Sequence, residues 1–365
     1  MSTRFVRLWI LTALLAGCGG GTEGGGDDRP VVNFYNWSDY IHPDTLPQFE
    51  AETGIDVRYD VYDSNDVLQG KLLAGNTGYD VVVPTGNFFE VQRVAGVFQP
   101  IDKSRLQNYD NLDPEILAKL EALDPGNRFA IPYAWGTNGL GINVDAVKER
   151  IPDAPLDSWA LLFDPENAKR LADCGITLLD AADEVNEIAL SYLGYEPGSS
   201  DLGELEEAMA MVAKIRPYVR YFHSSQYIDD FANGEVCLVL GWSGDLYQAM
   251  DDALDGLNLD YVIPKEGSIV WFDLLAIPAD APHPEAAHRL IDFLLRPEIA
   301  AQNTNHTFFA NANRASYDLL DPAIRSDPSI YPPPEVMARL FPNPVKEPQY
   351  VRARNRLWTQ LKTGM

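Results

Sequence analysis

Three tryptophans in this chain are followed within three residues by an aspartate: Trp37-Ser38-Asp39-Tyr40, Trp242-Ser243-Gly244-Asp245 and Trp271-Phe272-Asp273. An aromatic face beside a carboxylate is a physical description of a seat for an alkylammonium group. The carboxylate accepts charge-assisted hydrogen bonds. The ring attracts the cation and covers its methylenes. A diamine with a short apolar spacer would want such a box at each end. Nearness alone is cheap, because Asp157 also lies by Trp159 in a chain with 54 Asp and Glu. What separates the three is position: each adjoins a strand-like segment, and strand ends of α/β sheets are where ligands collect.

Rough magnitudes make such a site workable. Two hydrogen-bonded charged ends at about 1.5–3 kcal/mol each and four methylenes at about 0.8 kcal/mol each supply roughly 6–9 kcal/mol. Cation–π contacts add about 1–2 kcal/mol, and association costs subtract several. Micromolar binding needs about 8 kcal/mol, so the walls must be preorganised. Two lobes closing over the ligand would supply that.

Other chemistries find no support. There is no G-x-x-x-x-G-K-[ST] and no G-x-S-x-G, the signatures of phosphate cradling and of a serine nucleophile. Asp60 to Gly70 is acidic without calcium-loop spacing, and reads as a solvated loop and helix start. His42, His223, His283, His288 and His306 are scattered, and no paired Cys/His spacing exists, so neither a metal nor a cofactor is expected. His223-Ser224-Ser225 could be drawn as part of a hydrolase triad; a helix cap by Ser224 or Ser225 is the simpler expectation. A formal net charge of -26 repels phosphate backbones and sets nucleic acid aside.

The chain's start reads as an address. Arg4 and Arg7 precede an apolar run at 8–16, which is too short to span a bilayer and suits a secretory signal. The run ends in Leu15-Ala16-Gly17-Cys18, which resembles the bacterial lipobox. That implies a lipoprotein signal peptide at 1–17, acylation of Cys18 and a Gly-rich tether at 18–29. A lipobox also makes the glycosylation patterns Asn36-Trp37-Ser38 and Asn305-His306-Thr307 accidental. With Cys18 acylated, Cys174 and Cys237 remain, as one disulfide or as two buried thiols.

The elements that must position the boxes alternate. Strands are expected at 31–35, 55–61 and 79–83, with helices at 45–53 and 65–74 between them. This rhythm argues for an α/β sheet with helices on its faces. Residues 131–139, rich in turn formers and aromatics, read as a crossing between lobes ahead of a strand at 140–143. Further strands are expected at 237–241, 259–263 and 274–277, and helices at 204–214, 283–295 and the C-terminus.

Tyr35-Asn36-Trp37-Ser38-Asp39-Tyr40-Ile41 is where the chain becomes familiar. It resembles the periplasmic putrescine/spermidine-binding proteins of polyamine ABC transporters. The resemblance runs from about residue 31 to 360 and includes Tyr79-Asp80-Val81-Val82-Val83-Pro84, Tyr221-Phe222-His223-Ser224-Ser225-Gln226-Tyr227, Ile263-Pro264-Lys265-Glu266-Gly267 and Phe309-Ala310-Asn311-Ala312-Asn313. It implies an α/β, two-lobe type II periplasmic-binding-protein fold with a hinge and an interlobe ligand cleft. On that pattern, 30–137 with 257–305 would form one lobe and 138–256 with 306–365 the other.

By motif, Trp37, Trp242 and Trp271 would be aromatic walls. Asp245 and Asp273 would hold one ammonium, and Glu184 would receive the other amine. Ser38, Asp39, Tyr40, Thr85 and Phe309 would complete the lining, and the family disulfide maps onto Cys174 and Cys237. Thr85 stands where putrescine binders have Ser, and Phe309 where the family has Tyr. Trp271 follows the spermidine binders, whereas Ser38-Asp39 and Asp245 follow the putrescine pattern. The larger indole at 271 favours the longer cation. The implied protein is a periplasmic, membrane-anchored lipoprotein, a monomer, which hands a polyamine to an inner-membrane ABC permease. A polyamine-sensing lipoprotein would share the cleft. An enzyme acting on a cationic amine would need a constellation that the sequence lacks.

Overall fold

The computed structural model describes residues 29–364. The signal segment 1–17, Cys18 and all of the tether except its last residue lie outside the described residues. Eleven strands alternate with helices: β1 Val31–Trp37, β2 Asp56–Tyr62, β3 Val81–Val82, β4 Ala130–Asn143, β5 Ile176–Leu178, β6 Val219–Phe222, β7 Leu238–Trp242, β8 Leu259–Val262, β9 Ser268–Ala276, β10 Ala310–Asn311 and β11 Leu340–Pro342. The hydrogen-bonded order is β2-β1-β3-β9-β4-β7-β5-β6. Each half of this order is a parallel trio, and the antiparallel strands β9 and β4 lie between them.

The 14-residue β4 joins the halves. Its first part, Ala130 to Thr137, pairs with β9. Its second part, Asn138 to Asn143, pairs with β7 and β8. Two α/β lobes therefore share one strand. The expected crossing is there, and its turn formers lie in extended, paired backbone. The reason is space. A Cβ on Gly136 would sit 2.7 Å from the Trp271 ring, on Gly139 2.5 Å from Tyr261, and on Gly141 2.5 Å from Leu246. Those glycines are where neighbouring side chains cross the strand.

The chain crosses twice more, from β8 to β9 and after β11. β11 pairs with Ser268 to Val270 of β9. The strap that follows fastens to the helix Ala182–Tyr192: Asn343 Nδ2 donates to Asp183 at 2.7 Å, Lys346 pairs with Glu187 at 3.0 Å, and Asn186 Nδ2 donates to Tyr350 Oη at 2.9 Å. Two stretches thus pair differently from the expected division: β8 lies with the second half of β4, and β10 with the first. The core runs continuously through both halves, from Phe34 and Phe89 to Leu240 and Trp159, all buried. Cys174 and Cys237 form a disulfide with Cα atoms 5.5 Å apart, tying the segment before β5 to the start of β7.

Candidate functional site

Parallel strands of both halves end at one cleft. β1 delivers Trp37, and β3 leads through Pro84 to Thr85. β5 leads to the helix carrying Glu184, and β7 ends in Trp242, beyond which the helix Ser243–Asp251 carries Asp245. β9 supplies Trp271 and Asp273, and Phe309 precedes β10. These residues, with Ser38 and Tyr40, line a single cavity of about 30 Å³. At about 10–15 Å³ for each water position, it admits only a thin guest.

The walls hold one another. Trp37 and Trp242 meet edge to face at 5.8 Å. Phe309 stands edge to face with Tyr40 at 4.8 Å and with Trp271 at 5.4 Å. Trp37 Nε1 donates to Val83 O at 2.9 Å, which fixes its indole against the end of β3.

Three carboxylates are buried here with few donors. Trp242 Nε1 donates to Glu184 Oε2 at 2.8 Å, and Asn138 Nδ2 donates to the same oxygen at 2.6 Å. Thr85 Oγ1 donates to Asp273 Oδ1 at 2.6 Å, and Asn65 Nδ2 donates to Thr85 Oγ1 at 2.9 Å. Tyr227 Oη donates to Asp245 Oδ2 at 2.5 Å. No Lys, Arg or His lines the cavity. Burial therefore pushes Asp245 up to about 7 against the relief from Tyr227, and Asp273 up to about 7 against the relief from Thr85 and Tyr40. Burial, and then the charge of Asp183, hold Glu184 well above the usual carboxylate range. Each of these groups would ionise readily beside a cation.

Of the expected site residues, only Asp39 stays out. It is exposed, in a left-handed turn at φ 53°, and reaches the site only as a charge that raises Asp245. Two further residues line the cavity, Asp63 and Ser224. Asn138 and Tyr227 support it from behind. Tyr227 lies inside a motif that carries the resemblance, yet nothing in the sequence pairs it with Asp245. The cap expected from Ser224 or Ser225 is not made: the helix Tyr227–Ala232 has no side-chain cap, and the ring of His223 ties the turn before it, its Nδ1 accepting from the N–H of Ser225 and of Gln226. Among the described residues, no group of three His, Cys, Asp or Glu side chains converges as a metal site.

The family described as bacterial extracellular solute-binding protein matches residues 45–332. The chain belongs to that family. This solute-binding protein is 49% identical over the whole of both chains to the putrescine-binding periplasmic protein SpuD of Pseudomonas aeruginosa. It is 48% identical, over 92% of each chain, to the putrescine-binding periplasmic protein PotF of Escherichia coli. A solved structure from Listeria monocytogenes, described as a spermidine/putrescine ABC transporter, superposes with a TM-score of 0.83 at 32% identity, covering 92% of this chain and 99% of the other. The two lobes and their cleft are accordingly those of the type II binding-protein fold. The solute-binding protein is a binder and not an enzyme.

Proposed function

We propose that this solute-binding protein captures a polyamine in the periplasm and delivers it to an ABC permease of the inner membrane. One observation carries the reading: three buried carboxylates, framed by indoles, share a narrow cavity with no basic side chain. Such a site is complementary to a slender aliphatic dication and to little else. The relatives named above support it, since both bind putrescine by name.

In this reading Asp245 and Asp273 receive one ammonium and Glu184 the other. Trp37, Trp242 and Trp271 cover the methylenes, while Ser38, Tyr40, Thr85 and Phe309 shape the passage. Trp271 favours the longer cation, whereas Ser38, Asp245 and the putrescine-binding relatives favour the shorter, so putrescine is the ligand proposed. The lobes are 30–137 with 268–342 and 138–262 with 343–364. They act as a monomer held at the membrane by an acylated Cys18. Titration calorimetry with putrescine and spermidine tests the reading. Micromolar binding of at least one is expected; no heat from either at micromolar protein refutes it.

A further inference from the structure

Where the lobes meet outside the amine site, a second cavity of about 310 Å³ carries the opposite character. Phe88 and Val91, of the helix Gly86–Val94, form one wall. Val345 of the strap and Arg352 and Arg354 of the helix Pro348–Thr363 form the other. Arg354 is 8% exposed. Its Nε donates to Asn355 Oδ1 at 3.3 Å, while neither Nη has an acceptor among the described residues. The backbone and stem of Arg354 are buried while its fork opens into the cavity, where Asp66 feels its charge and water is the only other partner.

Two carboxylates border the same space without closing that fork. Asp183 is engaged by Asn343 at 2.7 Å and Asn87 at 3.3 Å. Asp66 is raised above the usual carboxylate range, by burial first and then by Asp183. The helix that carries both arginines begins at this cavity behind Glu347, its N-cap residue, whose side chain makes no cap hydrogen bond.

We propose that this cavity is a second binding site, for a small organic anion whose carboxylate lies on the fork of Arg354 and whose short apolar body lies on Phe88, Val91 and Val345. The planar, always-charged fork of arginine suits a carboxylate held by two parallel hydrogen bonds. A body of several methylenes matches the apolar remainder of the walls.

The test is a titration of the full chain, free of amine, with hexanoate and with hexanol as the uncharged control, followed by NMR. Saturable binding of one hexanoate, with a Kd on the order of 1 mM or tighter, is expected, and none of hexanol. Arg354→Gln should weaken hexanoate by about tenfold or more. So should Val91→Glu, which sets a negative charge on an exposed wall position. Absence of saturation by about 10 mM hexanoate, or full affinity in both variants, overturns the proposal. Putrescine titrated into the same samples reports the amine site separately, so a failure there leaves the anion result readable.

Discussion

Asp245 and Asp273 sit where a carboxylate is least comfortable, and their chemistry follows from that. Each titrates near neutrality because burial opposes its charge. An arriving ammonium stabilises the ionised form, so binding lowers these values and expels protons. Polyamine affinity should therefore rise between about pH 6 and pH 8, while the amines, with an ordinary value near 10.4, stay charged. Calorimetry in buffers of different ionisation heat should register net proton release at about pH 7. Equal heats in all buffers would mean that these carboxylates are already ionised without ligand. Asp245→Asn keeps an acceptor for Tyr227 and removes the charge. It should weaken binding by more than about tenfold, as expected for a lost charged hydrogen bond of about 1.5–3 kcal/mol.

At the scale of elements, the local signals were legible and the tertiary ones were not. The helices Thr45–Thr53 and Asn65–Ala74 have the expected bounds because their signals are local: Gly54 in the left-handed region ends one, and Ser64 accepting from the N–H of Asp66 starts the other. Of the three aromatic–carboxylate boxes, those at Trp242 and Trp271 bring both members to the cleft, while the box at Trp37 leaves Asp39 outside it. That the crossing at 131–139 is itself a paired strand was not legible, because a glycine vacated for a turn and one vacated for a neighbour's ring look alike in sequence. Ser224, Asn138 and Tyr227 escaped because their roles depend on residues that approach only after folding. The crowding of β4 can be measured. Gly139→Ala would drive a methyl into the Tyr261 ring, whose hydroxyl lies 2.8 Å from Thr137 Oγ1, and should cost about 1–3 kcal/mol in denaturant unfolding. Gly70→Ala, in the middle of a helix with nothing within 4 Å of the new methyl, should stabilise by about 0.5–1 kcal/mol. Equal effects at the two sites would remove crowding as the explanation.

Across the whole molecule, the amine site is a store of instability that its ligand discharges. Glu184, Asp245 and Asp273 have raised values in the folded chain, against about 4 when unfolded. Between those limits the folded state holds more protons than the unfolded state. Stability must then fall as pH rises from about 4 to about 8, and level off once the folded groups have ionised. The ligand-free protein should therefore melt at a lower temperature at about pH 8 than at about pH 5, by an amount worth a few kcal/mol. Putrescine should erase much of that difference, because it supplies the missing counter-charges; at 100 times its Kd it adds about 2.7 kcal/mol by mass action alone. General repulsion among 54 acidic residues slopes the same way, so the site needs its own control. The triple variant Glu184→Gln, Asp245→Asn, Asp273→Asn removes the three buried charges and leaves the surface unchanged. Its melting temperature should depend on pH much less than the parent's, and should not respond to putrescine. A parent-like pH slope in that variant would assign the instability to the acidic surface instead of the cleft.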